Sequence, residues 1–472
     1  MPALAVQVGG DPQLPLVHRM LEVVKDRGAS FDIRSSRMCA MGLAEDDRLP
    51  GHGSIASDHG WLAVVVGSID NPQDFQSSEG SAADLVLRLV RERGPRSIGD
   101  LRGAFAWVVT DGMNAWAARD HLGLETIFYR QVGQGFFLAS ETLQLLEVAE
   151  RAPEPDLEFL EAFLFAEPRE ESRCAYAGIS RLPKRSLLVW SPEAIRMTRY
   201  WTPEDRLEQA PLPGPEISER FDHLMAQAVK RAMPRPTAVL LSGGIDSPAV
   251  AAYAAPVHRE RFGSPLGAVT ATYPSHATVD ELSYVRVLAE AFGLDLHTFE
   301  AAPLRLDRLA DWVVEFGGPW AYWHPGQMEE SYLLAAGHGY RNILTGNYAE
   351  DVFERRVGLL AHLLWAGHWK EAARFLADRH ATGLGWRKNA KELITALVPR
   401  AAVAARRRRQ PRFTVPAWID QDRFGKAEAA RATSPRMAWR RAQLSMLQGA
   451  GVSGEADSML QARLGVRVRH PW

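Results

Sequence analysis

Short apolar runs separated by turn residues occupy the first two hundred residues. Turn-forming residues such as Asp111-Gly112 interrupt the runs. Strands are predicted for three of these runs, at 61–66, 104–109 and 135–139. Between them, Leu85, Leu89 and Val90 recur near a 3.6-residue spacing, which predicts a helix over 82–92. This half of the chain therefore reads as a mixed α+β layer domain.

The second half alternates strand-like and helix-like segments. Strands are predicted at 238–241, 266–272 and 342–345, and helices at 218–232, 280–292 and 327–338. Such alternation predicts a parallel sheet with helices on both faces. Ligands of these sheets bind beyond the carboxyl ends of the strands. Between the two patterns, residues 207–215 are rich in proline and glycine and are predicted to be a linker.

A glycine-rich segment follows the strand that ends at Leu241. Residues 242–247 read Ser-Gly-Gly-Ile-Asp-Ser and lead into a predicted helix. Glycines let the backbone approach a phosphate, and a helix start supplies N–H groups, so Leu241, Ser242, Gly243, Gly244 and Ser247 are predicted to bind phosphate. Ser247 is predicted to cap the helix and Pro248 to open it. Asp246 adds a carboxylate, which predicts Mg²⁺ between it and the phosphates.

Composition narrows the class of protein. The 472 residues carry a net charge of −2, so nothing global predicts nucleic-acid binding. The basic run at 406–409 is interpreted as a solvated helix end. Two cysteines make neither a disulfide framework nor a zinc site, which fits a reducing cytoplasm. With no signal peptide and no apolar stretch of membrane-spanning length, we expect a cytoplasmic protein without a membrane partner.

The glycine-rich segment resembles the S-G-G-x-D-S loop of ATP pyrophosphatases. It is not a Walker loop, because no G-K-S/T follows the glycines. The resemblance implies a loop that holds the β,γ-pyrophosphate of ATP while a substrate oxygen attacks the α-phosphate. The products would be an acyl-adenylate and pyrophosphate.

Motifs of the first half resemble the glutaminase domain of glutamine-dependent asparagine synthetases. They are L-R-G-A-F-A at 101–106, A-R-D-H-L-G at 118–123, A-S-E at 139–141, G-S-I-D-N at 67–71 and G-I-S-R-L-P at 178–183. With the glycine-rich loop, the resemblance covers nearly the whole chain. It implies an Ntn-hydrolase-like αββα sandwich over 1–206, the linker 207–215, and an α/β parallel-sheet domain of the ATP-pyrophosphatase type over 216–472.

The chain departs from this family at its second residue. Glutamine-using members carry a cysteine nucleophile where this sequence has Pro2. Pro2 has no nucleophilic side chain, so the first domain is expected to be a scaffold, with Cys39 as a remote alternative nucleophile. Relatives that lack the cysteine include β-lactam and carbapenam synthetases and lasso-peptide macrolactam cyclases. Those enzymes take the amine from the substrate itself.

Other segments imply further contacts with ATP. In the family the stretch that corresponds to 269–273 lies against the adenine, so Val269 is predicted to read the base through its backbone. Asp280-Glu281 resembles the acidic start of a family helix, and the sequence leaves function and helix capping open for this pair.

Residues 344–353, Leu-Thr-Gly-Asn-Tyr-Ala-Glu-Asp-Val-Phe, resemble the family's L-S/T-G-x-G-x-D-E-x-F loop. Gly346 is therefore predicted to border the nucleotide. Two registers are open. Without a gap, Glu350 is the Mg²⁺ ligand and Asn347 replaces the residue that assists amine deprotonation. With Asn347 as an insertion, Tyr348 takes the assisting role and Asp351 binds Mg²⁺.

Two further segments bear on the acceptor. Gly317-Gly318-Pro319 and residues 320–324 lie where the family shapes its acceptor pocket, although a role as core aromatic residues is the favoured interpretation of Trp320, Tyr322 and Trp323 taken one by one. The segment 469–472 resembles the start of a longer family motif, and we expect the rest of that motif, including a lysine of β-lactam-type members, to be missing.

The expected function is that of an ATP- and Mg²⁺-dependent ligase. It would adenylate a carboxylate and join it to a substrate amine, as a lasso-type macrolactam cyclase or a related amide or lactam synthetase does. The expected partners are a carboxylate- and amine-bearing substrate, such as a precursor peptide with its protease. An asparagine synthetase using free ammonia and an inactive scaffold protein are the alternatives.

Overall fold

A computed structural model describes residues 2–75, 80–149, 151, 153–164, 171–203, 214–303, 305–319, 325–349, 359–381 and 451–472. The chain divides into two compact units. The first consists of Met1–Phe163, Pro168–Tyr348 and Ala450–Trp472, and the second of Leu164–Glu167 and Ala349–Gly449. Within the described part of the chain, no helix combines the length and the apolar character needed to cross a bilayer.

The amino-terminal part of the first unit is rich in strands. They are β1 (Ala3–Val8), β2 (Ser30–Ser36), β3 (Cys39–Glu45), β4 (Gly53–Asp58), β5 (Trp61–Ile69), β6 (Gly103–Thr110), β7 (Ala115–Arg119), β8 (Phe128–Val132), β9 (Gly135–Ala139), β10 (Ser180–Arg181), β11 (Ser186–Ser191) and β12 (Ala194–Arg199). The helices are α1 (Leu14–Glu22), α2 (Ala82–Arg93), α3 (Thr142–Leu146) and α4 (Leu157–Leu164).

These strands form two antiparallel six-stranded sheets. The first has the order β10-β8-β9-β1-β3-β2, and the second has the order β12-β11-β7-β6-β5-β4. Side chains from both sheets, among them Val6, Leu138, Val64 and Val108, form one buried layer between them. Helix α1 packs on the outer face of the first sheet through Val17, and α2 packs on the second sheet. The layers are therefore an αββα sandwich.

The predicted elements of this half are confirmed. Strands β5, β6 and β9 contain the three predicted runs, and α2 contains the predicted helix. Helix α2 begins where it does because Ser81 and Asp84 form a capping box, in which each side chain accepts from the other's backbone N–H. Its apolar stripe of Leu85, Leu89 and Val90 is buried against the sheet.

The carboxyl-terminal part of the first unit alternates strands and helices. Its strands are β13 (Thr237–Leu240), β14 (Gly267–Thr272), β15 (Asp295–Glu300), β16 (Asn342–Leu344) and β17 (Arg467–Arg469). Its helices are α5 (Gly214–Ala232), α6 (Asp246–Phe262), α7 (Leu282–Phe292), α8 (Leu309–Glu315), α9 (Pro325–Gly337) and, at 451–464, α12 (Gly451–Leu464). The predicted alternation is thus confirmed. Gly214 and Pro215, the end of the predicted linker, open α5.

The five strands form a parallel sheet in the order β15-β14-β13-β16-β17. Helices α5, α6 and α7 share one buried cluster with the sheet, through residues such as Val229, Val250 and Val285. Helices α9 and α12 contribute Tyr332 and Leu460 to a cluster that contains other residues of the same sheet. Both faces of the sheet are therefore covered, as a parallel sheet requires.

Strand β17 was not predicted, and its two arginines contact the sandwich. The Arg467 side chain is 2% exposed and forms an ion pair with Glu125, whose side chain is 1% exposed. Arg467 also donates to the carbonyl oxygen of Ala104 on β6. A buried ion pair requires such added hydrogen bonds to offset its desolvation.

The second unit contains two described helices, α10 (Leu359–Trp365) and α11 (Trp369–Ala381). They pack on each other through Leu360, Ala372 and Phe375.

His52, between β3 and β4, is buried beside three arginines. Burial first, and then the charges of Arg467, Arg469 and Arg235, lower its pKa to about 3. Its Nδ1 lies 3.5 Å from the Arg235 guanidinium. The imidazole is therefore neutral at pH 7.

We predict that His52 makes folding stability fall in mild acid. The unfolded chain binds a proton at His52 below about pH 6.5, whereas the folded chain does not until about pH 3, so stability is lost as the pH falls. Urea unfolding of wild type and His52→Asn should differ in pH dependence by about 1.4 kcal/mol between pH 7.5 and 5.5. His223→Gln, at an exposed histidine on α5, should leave that dependence unchanged. Equal pH dependence of wild type and His52→Asn would contradict the prediction.

Candidate active site

The glycine-rich loop lies at the carboxyl end of β13, the central strand of the parallel sheet. Leu241 donates its N–H to the carbonyl oxygen of Val269 at 2.9 Å and so continues the sheet by one residue. Helix α6 then begins at Asp246, so the positive end of its dipole adjoins the loop. Strand, glycine turn and helix start therefore meet as predicted for a phosphate site.

The prediction that Ser247 caps helix α6 is wrong. The helix starts at Asp246, so Ser247 and Pro248 are its second and third residues, and no side chain caps it. The Ser247 hydroxyl instead accepts from the Ser242 N–H at 2.9 Å and lies 3.0 Å from the Ser242 hydroxyl. The two serines therefore close the loop on itself across the glycines.

The two acidic residues before α7 make different contacts, and Glu281 is the one that contacts the loop. Its carboxylate accepts from the Gly243 N–H at 2.8 Å. Helix α7 begins at Leu282, and Glu281 at its N-cap makes no capping hydrogen bond. Asp280 accepts weakly from the Leu282 N–H at 3.3 Å. In this structure the Glu281 carboxylate thus accepts a hydrogen bond from a backbone N–H that was predicted to bind phosphate.

The second predicted loop lies directly against the first. A Cβ atom on Gly346 would lie 2.5 Å from the Ser247 nitrogen and 2.9 Å from the Asp246 Cβ, closer than real contacts allow. Parallel pairing of β13 with β16 produces this approach, because both loops leave the same edge of the sheet. Only glycine fits at position 346 without moving one loop away from the other.

The residues after Gly346 turn sharply. The Asn347 N–H donates to the Thr345 hydroxyl at 3.2 Å, and the Asn347 side chain is exposed. Tyr348 is half-buried and has a φ of 75°, a backbone conformation that is strained for a tyrosine. Asn347 and Tyr348 are the two predicted catalytic residues. They directly follow Gly346, which packs against the glycine-rich loop.

The remaining predicted site residues are either buried in the sheet or outside the described residues. Val269 is 1% exposed and its carbonyl oxygen accepts from Leu241, so its role in reading a base stays a prediction. Glu350 and Asp351, the two predicted Mg²⁺ ligands besides Asp246, lie outside the described residues, as do residues 320–324, the run 406–409 and linker residues 207–213. Among the residues that are described, no three potential ligands converge. Mg²⁺ at a nucleotide commonly takes one or two carboxylates plus phosphate oxygens, and Asp246 offers one.

Pro2 and Cys39 occupy structural positions. Pro2 is buried against Gly53, and its carbonyl oxygen accepts from the Arg27 guanidinium at 3.1 Å. Cys39 pairs with Val8 at the opposite end of β1, about 20 Å along the strand from Pro2. Burial raises the pKa of the Cys39 thiol to about 12, so it is protonated at neutral pH. A thiol in that state is a poor nucleophile, and the alternative role for Cys39 is wrong.

Comparison with known families matches both halves of the chain. A glutamine amidotransferase domain matches residues 69–201, and the asparagine synthase family matches residues 220–472. The chain belongs to the asparagine synthase family. The three sheets described above and this match confirm the predicted fold class, an αββα sandwich followed by a parallel α/β domain.

Curated relatives of this asparagine synthase family member are distant. Amidase chyE of Penicillium rubens is 29% identical over 55% of this chain and 41% of its own length. Asparagine synthetase [glutamine-hydrolyzing] 3 of Bacillus subtilis is 26% identical over 47% of this chain and 38% of its own length. Asparagine synthetase B of Escherichia coli is 24% identical over 50% of this chain and 36% of its own length. The chain thus spans about two fifths of these relatives.

Sequence reasoning assigned no definite role to Glu281, and it overlooked strand β17. The acidic pair before α7 was visible as a motif, but its contact with Gly243 joins residues 38 positions apart. Strand β17 contains only three residues, two of them arginines, and so lacks the apolar pattern of a buried strand.

We predict that Glu281→Gln strengthens the binding of inorganic pyrophosphate to the loop. The substitution removes a negative charge beside Gly243, and an exposed charge pair contributes up to about 1 kcal/mol, so the dissociation constant should fall about two- to fivefold. Isothermal titration with pyrophosphate measures this. Glu290→Gln, an exposed position near the end of α7, is the matched control and should bind as wild type does. Weaker binding by Glu281→Gln would instead place Glu281 among the groups that hold the ligand.

Proposed function

We propose that this protein is an ATP- and Mg²⁺-dependent ligase that forms amide bonds through an acyl-adenylate. A substrate carboxylate oxygen attacks the α-phosphate of ATP, and pyrophosphate leaves. A substrate amine then attacks the acyl carbon, loses a proton, and displaces AMP. ATP use accords with membership of the asparagine synthase family.

The close packing of Gly346 against Asp246 is the observation that supports this proposal best. It brings the phosphate loop and the loop bearing Asn347 and Tyr348 to one edge of the sheet. The first loop is suited to hold the pyrophosphate portion of ATP beside the positive end of α6, because its glycines allow a phosphate to approach the backbone. The second loop then lies where the adenylate would meet the amine, so one site can serve both half-reactions in turn.

Mg²⁺ would supply charge neutralisation on the phosphates. Asp246 would be one ligand, because its carboxylate stands in the first turn of α6 and is partly exposed. The second ligand is Glu350 in the ungapped register of the second loop and Asp351 in the gapped one. The gapped register also makes Tyr348 the group that assists proton removal from the amine.

The amine is proposed to come from the substrate. Pro2 supplies no nucleophile for glutamine hydrolysis, and buried Cys39 cannot replace it. This favours a macrolactam cyclase of the lasso type or a related natural-product amide or lactam synthetase. For a lasso-type cyclase, the substrate that supplies the amine would be a precursor peptide, delivered by its protease. Localisation in the cytoplasm, where ATP is abundant, is part of the proposal.

We predict that the protein releases no ammonia from glutamine. The amidotransferase-like domain has Pro2 in the place of the family's cysteine, and its Arg27 contact is made by a backbone oxygen. Glutamine incubated with the protein should yield ammonia at the rate of buffer alone in a coupled glutamate dehydrogenase assay. Pro2→Cys is the companion variant, because it places the family's cysteine at this position. Ammonia release by wild type, with labelling of Cys39, would overturn this part of the proposal.

We predict that four variants assayed in two half-reactions decide both the function and the register. Asp246→Ala should abolish Mg²⁺-dependent exchange of labelled pyrophosphate into ATP, because metal coordination stabilises the transition state by several kcal/mol. In the ungapped register Glu350→Gln does the same and Tyr348→Phe is mild. In the gapped register Asp351→Asn blocks exchange, whereas Tyr348→Phe spares exchange and slows amide formation about 10²- to 10⁴-fold.

Arg308→Gln, on the 3₁₀ turn before α8, is the control for these variants and should leave exchange unchanged. Pyrophosphate exchange that survives all four variants would remove the second loop and Asp246 from the ATP site. An inactive scaffold would then be the better description of the protein.

A further inference from the structure

The retained amidotransferase-like domain contacts the last strand of the sheet through Arg469. The Arg469 guanidinium donates to the Asp70 carboxylate at 3.1 Å and to the Ser68 hydroxyl. The Arg469 side chain is 7% exposed and the Asp70 side chain 19%. Ser68 is the penultimate residue of strand β5 of the sandwich, and Asp70 directly follows that strand. Because a buried guanidinium without a partner is costly, these contacts favour the position of β17 that its pairing with β16 also requires.

The backbone of the same residue holds the second loop. The Thr345 N–H donates to the Arg469 carbonyl oxygen at 3.1 Å. The next residue, His470, has its Nδ1 2.7 Å from the Thr345 hydroxyl, which also accepts from the Asn347 N–H. Arg469 and His470 therefore both contact Thr345, the residue at which the loop leaves β16.

His470 also supports Tyr348. The two rings meet edge to face, with centroids 4.9 Å apart at 88°. Burial, followed by the charges of Arg467 and Arg469, lowers the pKa of His470 to about 3, so the ring is neutral and Nδ1 can accept the Thr345 proton. Tyr348 stays in its strained left-handed conformation only while its surroundings hold it there.

We propose that the amidotransferase-like domain serves as a positioning element for the second loop, acting through Asp70, Arg469 and His470. Asp70 and Ser68 place β17, β17 holds Thr345, and His470 sets the ring of Tyr348. None of these residues is proposed to contact a reacting atom of the substrate. The proposal gives the domain a role that does not need glutamine. That the loop takes part in catalysis rests on the proposed function, whereas its dependence on the domain does not.

The test is hydrogen–deuterium exchange of the full-length protein with Asp70→Asn. This variant weakens the pairing with Arg469 and keeps an acceptor in place. Exchange of the peptide 344–348 should rise about fivefold or more, since local opening costs less free energy. The peptide 242–247 should exchange as in wild type. Arg48→Gln is the matched control, because Arg48 joins the sandwich to the end of α12 through the carbonyl oxygens of Ala462 and Arg463 and does not contact β17.

Equal exchange of 344–348 in Asp70→Asn and in wild type would overturn the proposal, as would an equal rise in Arg48→Gln. If Asp70→Asn does not fold, Thr345→Val replaces it, since it removes the hydroxyl between His470 and Asn347 and leaves the Arg469 pairing intact. The same rise in exchange is then expected, and its absence would refute the role of His470.

A catalytic arm separates this inference from the proposed function. If wild type forms amide, Asp70→Asn should slow amide formation by about 10²-fold, the effect expected of a misplacement near 1 Å, while Arg48→Gln stays near wild type. If wild type shows neither pyrophosphate exchange nor amide formation, the proposed function fails. The exchange of 344–348 still decides the positioning role in that case, because it requires no chemistry.

Discussion

The candidate site depends on the parallel pairing of β13 with β16. Residues Thr237–Val239 of β13 lie beside Asn342–Leu344 of β16, so the two loops that follow them leave the sheet at one edge. Gly346 then packs on the first turn of α6 at a distance that no side chain would allow. A shift of one residue in this pairing would separate the loops by about 3.3 Å and turn alternate side chains to the other face. The proposed chemistry requires both loops at one place, so it depends on this register.

A second constraint lies where the sheet meets the αββα sandwich. Arg467 and Arg469 of β17 carry two positive charges into buried surroundings, and Glu125 and Asp70 of the sandwich balance them. Breaking one buried pair leaves an uncompensated charge, at a cost of about 3–5 kcal/mol. The sandwich thus supplies the counter-charges for both arginines of β17.

Local patterns predicted much of the fold, and the reasons are visible in particular elements. Strands β5, β6 and β9 and helix α2 have apolar residues at the spacing of their own secondary structure, so their burial can be read from a few adjacent residues. Ser247 shows where a local rule failed. The rule placed Ser247 just before the helix. In the structure α6 begins at Asp246, so Ser247 lies inside the helix and its hydroxyl accepts from the Ser242 N–H across the loop.

The sequence by itself determined the two layered domains and the glycine-rich loop, because these follow from periodicity and from residue types within short segments. Only the tertiary structure decided that Glu281 occupies the Gly243 N–H, that β17 completes the sheet, and that Arg469 joins Asp70, which is 399 positions away. Such contacts depend on chain segments brought together by packing, and their polar partners carry no local pattern. For that reason the two loops were predicted separately, whereas the contacts of β17 with the sandwich and with the second loop were not.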